Sequence, residues 1–383
     1  MNRLPAALSL LVAIATGLLP MPAAGSPDVA SSLPRIASGT VFRQDIADAW
    51  LRLHGRAQAP LSDGDLAEFR RLLTDTGWPT APVAGAPAIG AAGDLLARAS
   101  AHYRYQQEVI DLVSSRVGID VDALAVARLN DRIERDHRGT QQFGTLFALE
   151  HGRVVPAVPA RGHRFYRDFY GLPSMDDVID TLQAGIDAGR SLAELDPPRS
   201  LAAPYTPLTH TELRRELGRM VAADQDARHA YAQSVRAGTP DPALQEAVAR
   251  ADADNHARVA QILDTVGFPG PEMVGRDGVS TFFLLVQHAD DDPALQQRAL
   301  ALAEPLMRER RMSRQQFAML TDRVLLAQGL PQRYGTQTVT DETGTLVLAP
   351  VENAAGLDAR RRDMAMGTAE AYLELLRARH ASP

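Results

Sequence analysis

Three residues in the C-terminal half of this sequence are of types that move protons or orient a reacting group. They are His288, Tyr334 and Asp322. Imidazole gives or takes a proton near neutral pH, so a histidine in a polar site is the natural general acid or base. His288 ends the apolar run "GVSTFFLLVQHA". The structural alternative is a histidine that bonds backbone carbonyls at a helix end, where the helix dipole favours positive charge.

Further polar residues near these three could hold a ligand. The planar guanidinium of an arginine fits a carboxylate or a phosphate, and glutamine amides and hydroxyl groups recognise polar ligands. We therefore predict a ligand-binding set that consists of Arg228, Gln287, Asp290, Arg323, Gln332, Thr336 and Gln337.

Several of these residues also have a structural interpretation. Asp290 could cap the next helix. Asp322 and Arg323 are adjacent on a predicted helix, so they point in different directions and instead could fix the following loop. Arg228 follows Asp224 by four residues, the spacing of an ordinary ion pair within a helix.

The sequence does not favour a metal or cofactor site. In "ADADNHAR", Asp252 and His256 share a helical face, but no third ligand is identified, and the chain has no cysteine. No glycine-rich phosphate loop, nucleophile elbow or H-E-x-x-H motif occurs. If the protein is an enzyme, acid–base hydrolysis without metal or cofactor is the simplest chemistry for these residue types.

Composition limits the class of protein and its partners. The chain has 383 residues, 45% of them hydrophobic, which is enough for about two domains with their own cores. The net charge of -7 gives no electrostatic footprint for nucleic acid or for an anionic membrane surface. The expected partner is a small-molecule or peptide ligand.

The N-terminal segment has the layout of a secretory signal peptide. Arg3 precedes an apolar stretch from about Leu8 to Leu19, and the small residues Ala23 and Gly25 follow. The alternative is a membrane anchor, but the stretch is shorter than the roughly 20 residues that span a bilayer. We therefore expect residues 1–25 to be a Sec-type signal peptide. The mature protein would be periplasmic or secreted, without membrane insertion.

The sequence contains a weak internal repeat. Aligned from Phe69 and from Val259, two segments match without a gap for 39 positions, 8 of them identical. Further on, "LNDRIERDHRGTQQFGTL" matches "LTDRVLLAQGLPQRYGTQ" at 6 of 18 positions, with the offset changed by one residue. This order predicts a duplicated domain. Its copies are residues 42–195 and 208–383; residues 26–41 and the proline-bearing residues 196–207 are linkers.

The predicted fold is mainly α-helical. Asp-Pro steps at Asp241 and Asp292 are typical helix starts, and helical spacing of apolar residues dominates both copies. Later, "TLFALEHGRVVPAV" and "TQTVTDETGTLVLAPV" each alternate around a turn, which is typical of a hairpin. Each copy would thus end in a short β-hairpin and a closing helix, which in the second copy runs from about Asp358 to Arg377.

The second copy resembles a bacterial domain family of unknown function. The shared motifs are D-Q-x-x-R, G-[WF]-P, Q-H-A-D, L-T-D-R-V, Q-x-Y-G-T-Q and a late Arg-Arg pair. The matching residues are Asp224, Gln225, Arg228, Gly267, Pro269, Gln287, His288, Asp290, Asp322, Arg323, Gln332, Tyr334, Gly335, Thr336, Gln337, Arg360 and Arg361. The resemblance implies a domain identity and no particular activity.

The first copy departs from these motifs. Residues 97–100 read Ala-Arg-Ala-Ser where the second copy has Gln-His-Ala-Asp, and Phe143 and Leu146 replace Tyr334 and Gln337. We therefore place the polar site in the second copy. The competing interpretation is a non-catalytic helical interaction module, in which the motif residues form a buried structural network.

Overall fold

The computed structural model of the protein describes residues 36–37, 39, 41–195 and 207–381. The predicted signal peptide, much of the first linker and nearly all of the second lie outside the described residues. The described chain divides into two compact units, with the boundary between Thr209 and His210. We call them the N-unit and the C-unit.

The N-unit consists of helices and one hairpin. Its helices are α1 (Gln44–Arg56), α2 (Asp63–Asp75), α3 (Ala81–Arg98), α4 (Tyr103–Ser114), α5 (Ala123–Arg138), α6 (His163–Phe169), α7 (Met175–Asp187) and α8 (Leu192–Leu195). Strands β1 (Phe147–Glu150) and β2 (Arg153–Pro156) pair antiparallel between α5 and α6.

The C-unit has a similar order of elements. Its helices are α9 (Thr211–Arg236), α10 (Pro242–Thr265), α11 (Pro271–Gln287), α12 (Pro293–Arg308), α13 (Arg314–Ala327), α14 (Leu357–Asp363) and α15 (Ala369–Ala381). Strands β3 (Thr338–Thr340) and β4 (Leu346–Leu348) pair antiparallel between α13 and α14. The prediction of a mainly helical fold with two short hairpins is confirmed.

Local sequence signals explain where the site-bearing helices begin. The Asp241 side chain accepts a hydrogen bond from the Ala243 backbone N–H, and Pro242 occupies the first position of α10. Asp292 caps α12 in the same way, ahead of Pro293. These are the starts that the two Asp-Pro steps predict, because proline loses no hydrogen bond at the first helical position.

The prediction that a single helix, from about Asp358 to Arg377, closes the C-unit is wrong. The chain forms two helices there, α14 and α15, separated by residues 364–368. Ala365 has a positive φ of 57°, which interrupts helical geometry. The Arg361 guanidinium donates to the Gly367 carbonyl and so binds the chain where it leaves α14.

Both units contain the same break within a long helix. Gly85 in α3 has φ 75° and ψ 168°, and Gly275 in α11 has φ 80° and ψ 163°. Only glycine adopts this backbone conformation without strain. The two glycines are at matching positions of the sequence repeat, and each break starts the straight segment that carries the buried face of its helix. Duplication itself stays a prediction.

Each unit has its own hydrophobic core. In the N-unit, α1, α2 and α3 pack around Trp50, Phe69 and Trp78. In the C-unit, Phe282 and Phe283 of α11 belong to a core to which α9, α10, α12 and α13 also contribute. Among the described residues, no helix combines the length and apolarity required to cross a bilayer. The apolar face of α11 packs in the C-unit core, and its C-terminal end carries the polar residues described next.

Candidate functional site

The turn between α11 and α12, residues 288–292, binds side chains from four helices. Asp224 of α9, His256 of α10, Gln296 of α12 and Arg323 of α13 all reach it. The contacts are His288–Asp224, Asp291–His256, Asp290–Gln296 and Asp290–Arg323. We call this the α11–α12 turn. It is where the structure gathers His288, Asp290 and Arg323 of the predicted site.

His288 and Asp224 form a buried dyad. The His288 Nδ1 lies 2.8 Å from Asp224 Oδ2, and only 6% and 1% of the two side chains are exposed. An ionised carboxylate only accepts hydrogen bonds, so Nδ1 is the donor in this pair. The partner of Nδ1 is therefore a carboxylate rather than a backbone carbonyl. This arrangement fixes the ring and makes Nε2 the nitrogen that can exchange a proton with a ligand.

Arg228 extends the dyad to a second carboxylate. Its Nε donates to Asp224 Oδ1 at 3.1 Å, the pair expected from the four-residue spacing. A second nitrogen of the same guanidinium binds Asp252 of α10. The side chains of Arg228 and Asp252 are 14% and 21% exposed. A row of hydrogen-bonded polar side chains thus runs from the buried His288 through Asp224 and Arg228 to the more exposed Asp252.

The two carboxyl groups on Arg228 have opposite pKa shifts. Burial acts to raise the pKa of Asp224, but the hydrogen bond from His288 and the charges of His288 and Arg228 together bring it below the ordinary 3.8. Burial raises the pKa of Asp252, against the lowering effect of Arg228. Neighbouring carboxyl groups with pKa values moved apart are a recurrent arrangement in acid–base sites.

Arg323 presents two unused donors in a buried position. Its Nη1 donates to Asp290, but Nε and Nη2 have no hydrogen-bond partner among the described residues. Only 8% of the side chain is exposed. Nε and Nη2 lie on one edge of the guanidinium, the edge that donates two parallel hydrogen bonds to a carboxylate or phosphate. Unpartnered buried donors each cost about 1–3 kcal/mol, and an anion placed on this edge would remove that cost.

Gln287, the last residue of α11, is also unsatisfied. The residue is fully buried, and neither its Nε2 nor its Oε1 has a hydrogen-bond partner in the described chain. Its backbone carbonyl accepts from Gln296 Nε2 at 3.2 Å, and the same nitrogen lies 3.3 Å from Asp290 Oδ1. Gln296 therefore ties the end of α11 to the carboxylate that holds Arg323.

Asp322, which we predicted as a catalytic residue, binds the loop that follows its helix. Its oxygens accept from the backbone N–H groups of Arg333, Tyr334 and Thr336 at 2.8, 2.9 and 2.9 Å, and from the Thr336 hydroxyl at 2.8 Å. The residue is fully buried. In the N-unit, Asp131 accepts the same four bonds from its own loop. These contacts favour the loop-fixing interpretation over catalysis.

Gln332, Thr336 and Gln337 belong to this loop as well. Gln332 donates to the carbonyls of Gln337 and Ala349, both at 2.8 Å, and accepts from the Gln337 N–H at 2.9 Å. Gln141 of the N-unit makes the matching set of bonds. The Gln337 amide, which Leu146 replaces in the N-unit, donates to the Thr336 hydroxyl at 3.0 Å. The side-chain partners of these residues lie in α13, in the loop 328–337 and at the hairpin, which together we call the helix–hairpin junction. In addition, the Thr336 carbonyl accepts a hydrogen bond from the Tyr372 hydroxyl of α15 at 2.9 Å.

Tyr334 is half-buried and packs against the C-unit core. Burial raises the pKa of its hydroxyl, and the charges that act on that pKa are those of Arg333, Asp322, Arg360 and Asp363. These groups belong to the junction and to α14, not to the α11–α12 turn. The structure thus separates the predicted residues into two sets. One set lies at or beside the α11–α12 turn: His288, Gln287, Asp290, Arg323 and Arg228. The other lies at the helix–hairpin junction: Asp322, Gln332, Tyr334, Thr336 and Gln337.

Three residues that contact the predicted set lie outside it: Asp224, Asp252 and Gln296. Asp224 reads as one half of an intrahelical ion pair, and Asp252 as a weak metal ligand. Gln296 carries no motif. The described residues contain no group of three or more histidine or carboxylate side chains placed to hold a metal ion. The structure gives Asp252 a different partner, Arg228, across two helices.

Comparison with known proteins bears on the C-unit. Residues 211–381 match the model of a family of unknown function, DUF6624. The resemblance of the C-terminal half to such a family is therefore confirmed. No curated protein and no solved structure matches the chain.

Proposed function

We propose that the C-unit binds a small polar or peptide-like ligand through an anionic group, at the α11–α12 turn. The observation that carries this proposal is the free edge of Arg323, whose two buried donors have no partner in the described part of the chain. Asp290 holds the third donor nitrogen and so fixes the direction of this edge. A carboxylate or phosphate on the ligand would satisfy both donors at once.

His288 is the proton-transfer group of this proposed site. Asp224 accepts from Nδ1 and orients the ring, while Arg228 holds Asp224 from its other oxygen. With a bound ligand beside Nε2, the dyad could act as a general base and then as a general acid. Acid–base hydrolysis without a metal is the catalytic form of the proposal, with water as the second reactant.

We also propose that the protein is exported. The support is the layout of residues 1–25, which lie outside the described residues. N-terminal sequencing of the protein recovered from the periplasm or medium would test it. A mature chain that begins near residue 26 is expected, and an unprocessed chain retained in the cytoplasm would contradict export.

The competing function is a non-catalytic interaction module. It is favoured by one observation: the bonds of Asp322 and Gln332 recur at Asp131 and Gln141, so these motif residues build the junction in both units. This explanation does not extend to the free donors of Arg323. In an interaction module, no small anion would bind the C-unit.

A thermal-shift screen of carboxylates, phosphates, peptides and peptidoglycan fragments would test the proposal. A ligand at 100 times its Kd should stabilise the full chain by about 2.7 kcal/mol. Arg323→Lys keeps the charge but loses the paired donors, so the shift should nearly vanish. Arg132→Lys is the matched control, because Arg132 occupies the corresponding position of the N-unit and its Nη1 binds Asp94 at 3.0 Å.

Two results would contradict ligand binding at this site. One is the absence of any shift in the screen. The other is a shift that Arg323→Lys and Arg132→Lys leave equally unchanged. The His288→Ala variant separates binding from chemistry, since it should keep most of the ligand shift and lose turnover of any ligand that the wild-type chain hydrolyses.

A further inference from the structure

Helices α11 and α13 of the C-unit face each other through polar residues that lie at corresponding positions along the two helix axes. Ser280 of α11 accepts a hydrogen bond from Gln316 of α13 at 2.5 Å, and both side chains are buried. Seven residues later on α11 stands Gln287, and seven residues later on α13 stands Arg323. Seven residues are close to two helical turns, so Gln287 lies on the face of Ser280, and Arg323 on the face of Gln316.

The helices run parallel, because both ends of this face are fixed by contacts. Ser280 meets Gln316 at one end, and Asp290, just past the end of α11, meets Arg323 at the other. Equal steps of seven residues on parallel helices keep Gln287 level with Arg323. We call the interface between α11 and α13, from the Ser280–Gln316 pair to the Asp290–Arg323 pair, the α11–α13 seam.

The seam holds four buried polar atoms that have no hydrogen-bond partner among the residues that the structure describes. They are Nε and Nη2 of Arg323 and both polar atoms of the Gln287 amide. In the N-unit, the positions that correspond to Ser280, Gln316 and Gln287 are Gly90, Ala125 and Ala97. The N-unit thus closes the same interface with small apolar residues. Polar groups in the C-unit seam are therefore not required by the packing of the two helices.

We infer that the α11–α13 seam takes a carboxylate that also carries an amide group. The carboxylate would receive the two donors of Arg323, and the ligand amide would pair with the amide of Gln287, which both donates and accepts. This inference rests on the proposed anion site and adds the chemical class of its ligand. A phosphate without an amide, or a simple fatty acid, would leave Gln287 unsatisfied.

A matched set of ligands tests the class. Butyrate and succinamate have the same chain length and one carboxylate, but succinamate ends in a primary amide where butyrate ends in a methyl group. Two hydrogen bonds gained at a buried amide should make succinamate bind the full chain about ten times more tightly than butyrate. Binding is measured by titration calorimetry or by ligand-observed NMR.

Two variants assign the effect to the seam. Gln287→Met replaces the amide with an apolar side chain of similar length, so succinamate should bind it no better than butyrate. Arg323→Lys should weaken both ligands by a similar factor. If Gln287→Met does not fold, the relative affinities of the wild-type chain for the two ligands still test whether the ligand carries an amide group.

The failures of the two proposals are distinct. If the wild-type chain binds butyrate and succinamate equally, the ligand class is wrong and the anion site stands. The same conclusion follows if Gln287→Met keeps the preference for succinamate. If neither they nor any other anion binds, both the anion site and the ligand class are wrong.

Discussion

Asp322 and Asp131 show how a single carboxylate can fix a loop. Each accepts three backbone N–H groups and one threonine hydroxyl from the segment after its helix. Four donors use most of the acceptor sites of a carboxylate. A residue with this set of bonds has little capacity left for a ligand, whichever motif contains it.

The loop role predicts a large loss of stability on amide substitution. Asp322→Asn puts an NH₂ group against backbone N–H donors, so buried donors would face each other. We expect the free energy of unfolding of the C-unit to fall by about 2–4 kcal/mol, measured by urea titration. The exposed Glu342→Gln should change it by less than about 0.5 kcal/mol. A loss under about 1 kcal/mol for Asp322→Asn would refute the loop role.

The Asp224–His288 dyad predicts a pH dependence of stability. The folded-state pKa of Asp224 lies below its ordinary 3.8, so the ionised carboxylate stabilises the fold above that pH. The contribution is lost as pH falls through the lower folded-state pKa. Asp224→Asn should therefore be less stable than wild type by about 2–4 kcal/mol at pH 7, and the gap should narrow as the pH falls below about 4.

Urea unfolding at several pH values measures that gap. The exposed Asp254→Asn on α10 is the control and should give a small and constant difference. A gap between wild type and Asp224→Asn that stays constant down to the lowest pH would show that the charge of Asp224 does not stabilise the fold.

At the scale of elements, the break in α11 positions the whole site. Gly275 has a positive φ of 80°, and a Cβ atom there would fall against the Arg214 guanidinium and the Asp277 carboxylate. Arg214 donates to Asp277 at 2.8 Å and to the Val274 carbonyl at 3.1 Å, which holds α9 against the break. The break thus sets the direction of the segment that ends in Gln287.

Two glycine-to-alanine substitutions test this role. Gly275→Ala should lower the free energy of unfolding by about 1–3 kcal/mol through backbone strain and crowding. Gly218→Ala, within α9 and without neighbouring atoms around a new Cβ, should raise it by up to about 1 kcal/mol. Thermal and urea unfolding measure both. Equal effects of the two substitutions would mean that the positive φ of Gly275 carries no strain.

The sequence predicts where helices α10 and α12 begin, but it does not predict the break between α14 and α15 at the end of the C-unit. The caps of α10 and α12 come from local Asp-Pro chemistry, so a short window of residues contains the information. The break between α14 and α15 depends on Arg361, whose guanidinium donates to the carbonyls of Tyr334, Gly335 and Gly367. A pattern within one helix cannot show such a long-range contact.

At the scale of the whole molecule, the two units use different side chains at the C-terminal ends of the matching helices α3 and α11. At the end of α3, Arg98 takes the position of His288 and donates to the carbonyls of His54 and Ala57. That end of the helix is thus held in the N-unit by backbone carbonyls and the His54 ring, and in the C-unit by a carboxylate dyad. Because the N-unit forms this helix end with Arg98 in place of His288, the dyad of the C-unit is not required for the helix to end there.

The candidate site was only partly predictable from the sequence, because some of its contacts join residues of different helices. His288, Arg323, Asp290 and Gln287 lie in motifs that differ from the N-unit or carry suitable chemistry, and the structure brings them to one turn. Asp252 and Asp224 meet on Arg228 across two helices, a contact that spacing along either helix does not encode. Tyr334 has the right chemistry, but its surroundings are those of the junction.

The Nε–H resonance of Arg323 tests the anion site most directly. In the full chain, titration with succinamate should move this resonance in a saturable manner, because the carboxylate accepts a hydrogen bond from that group. The Nε–H resonance of Arg132 should stay in place, and the Arg323→Lys spectrum assigns the peak. An Arg323 resonance that does not move while the ligand binds, or that moves no more than that of Arg132, would contradict the account.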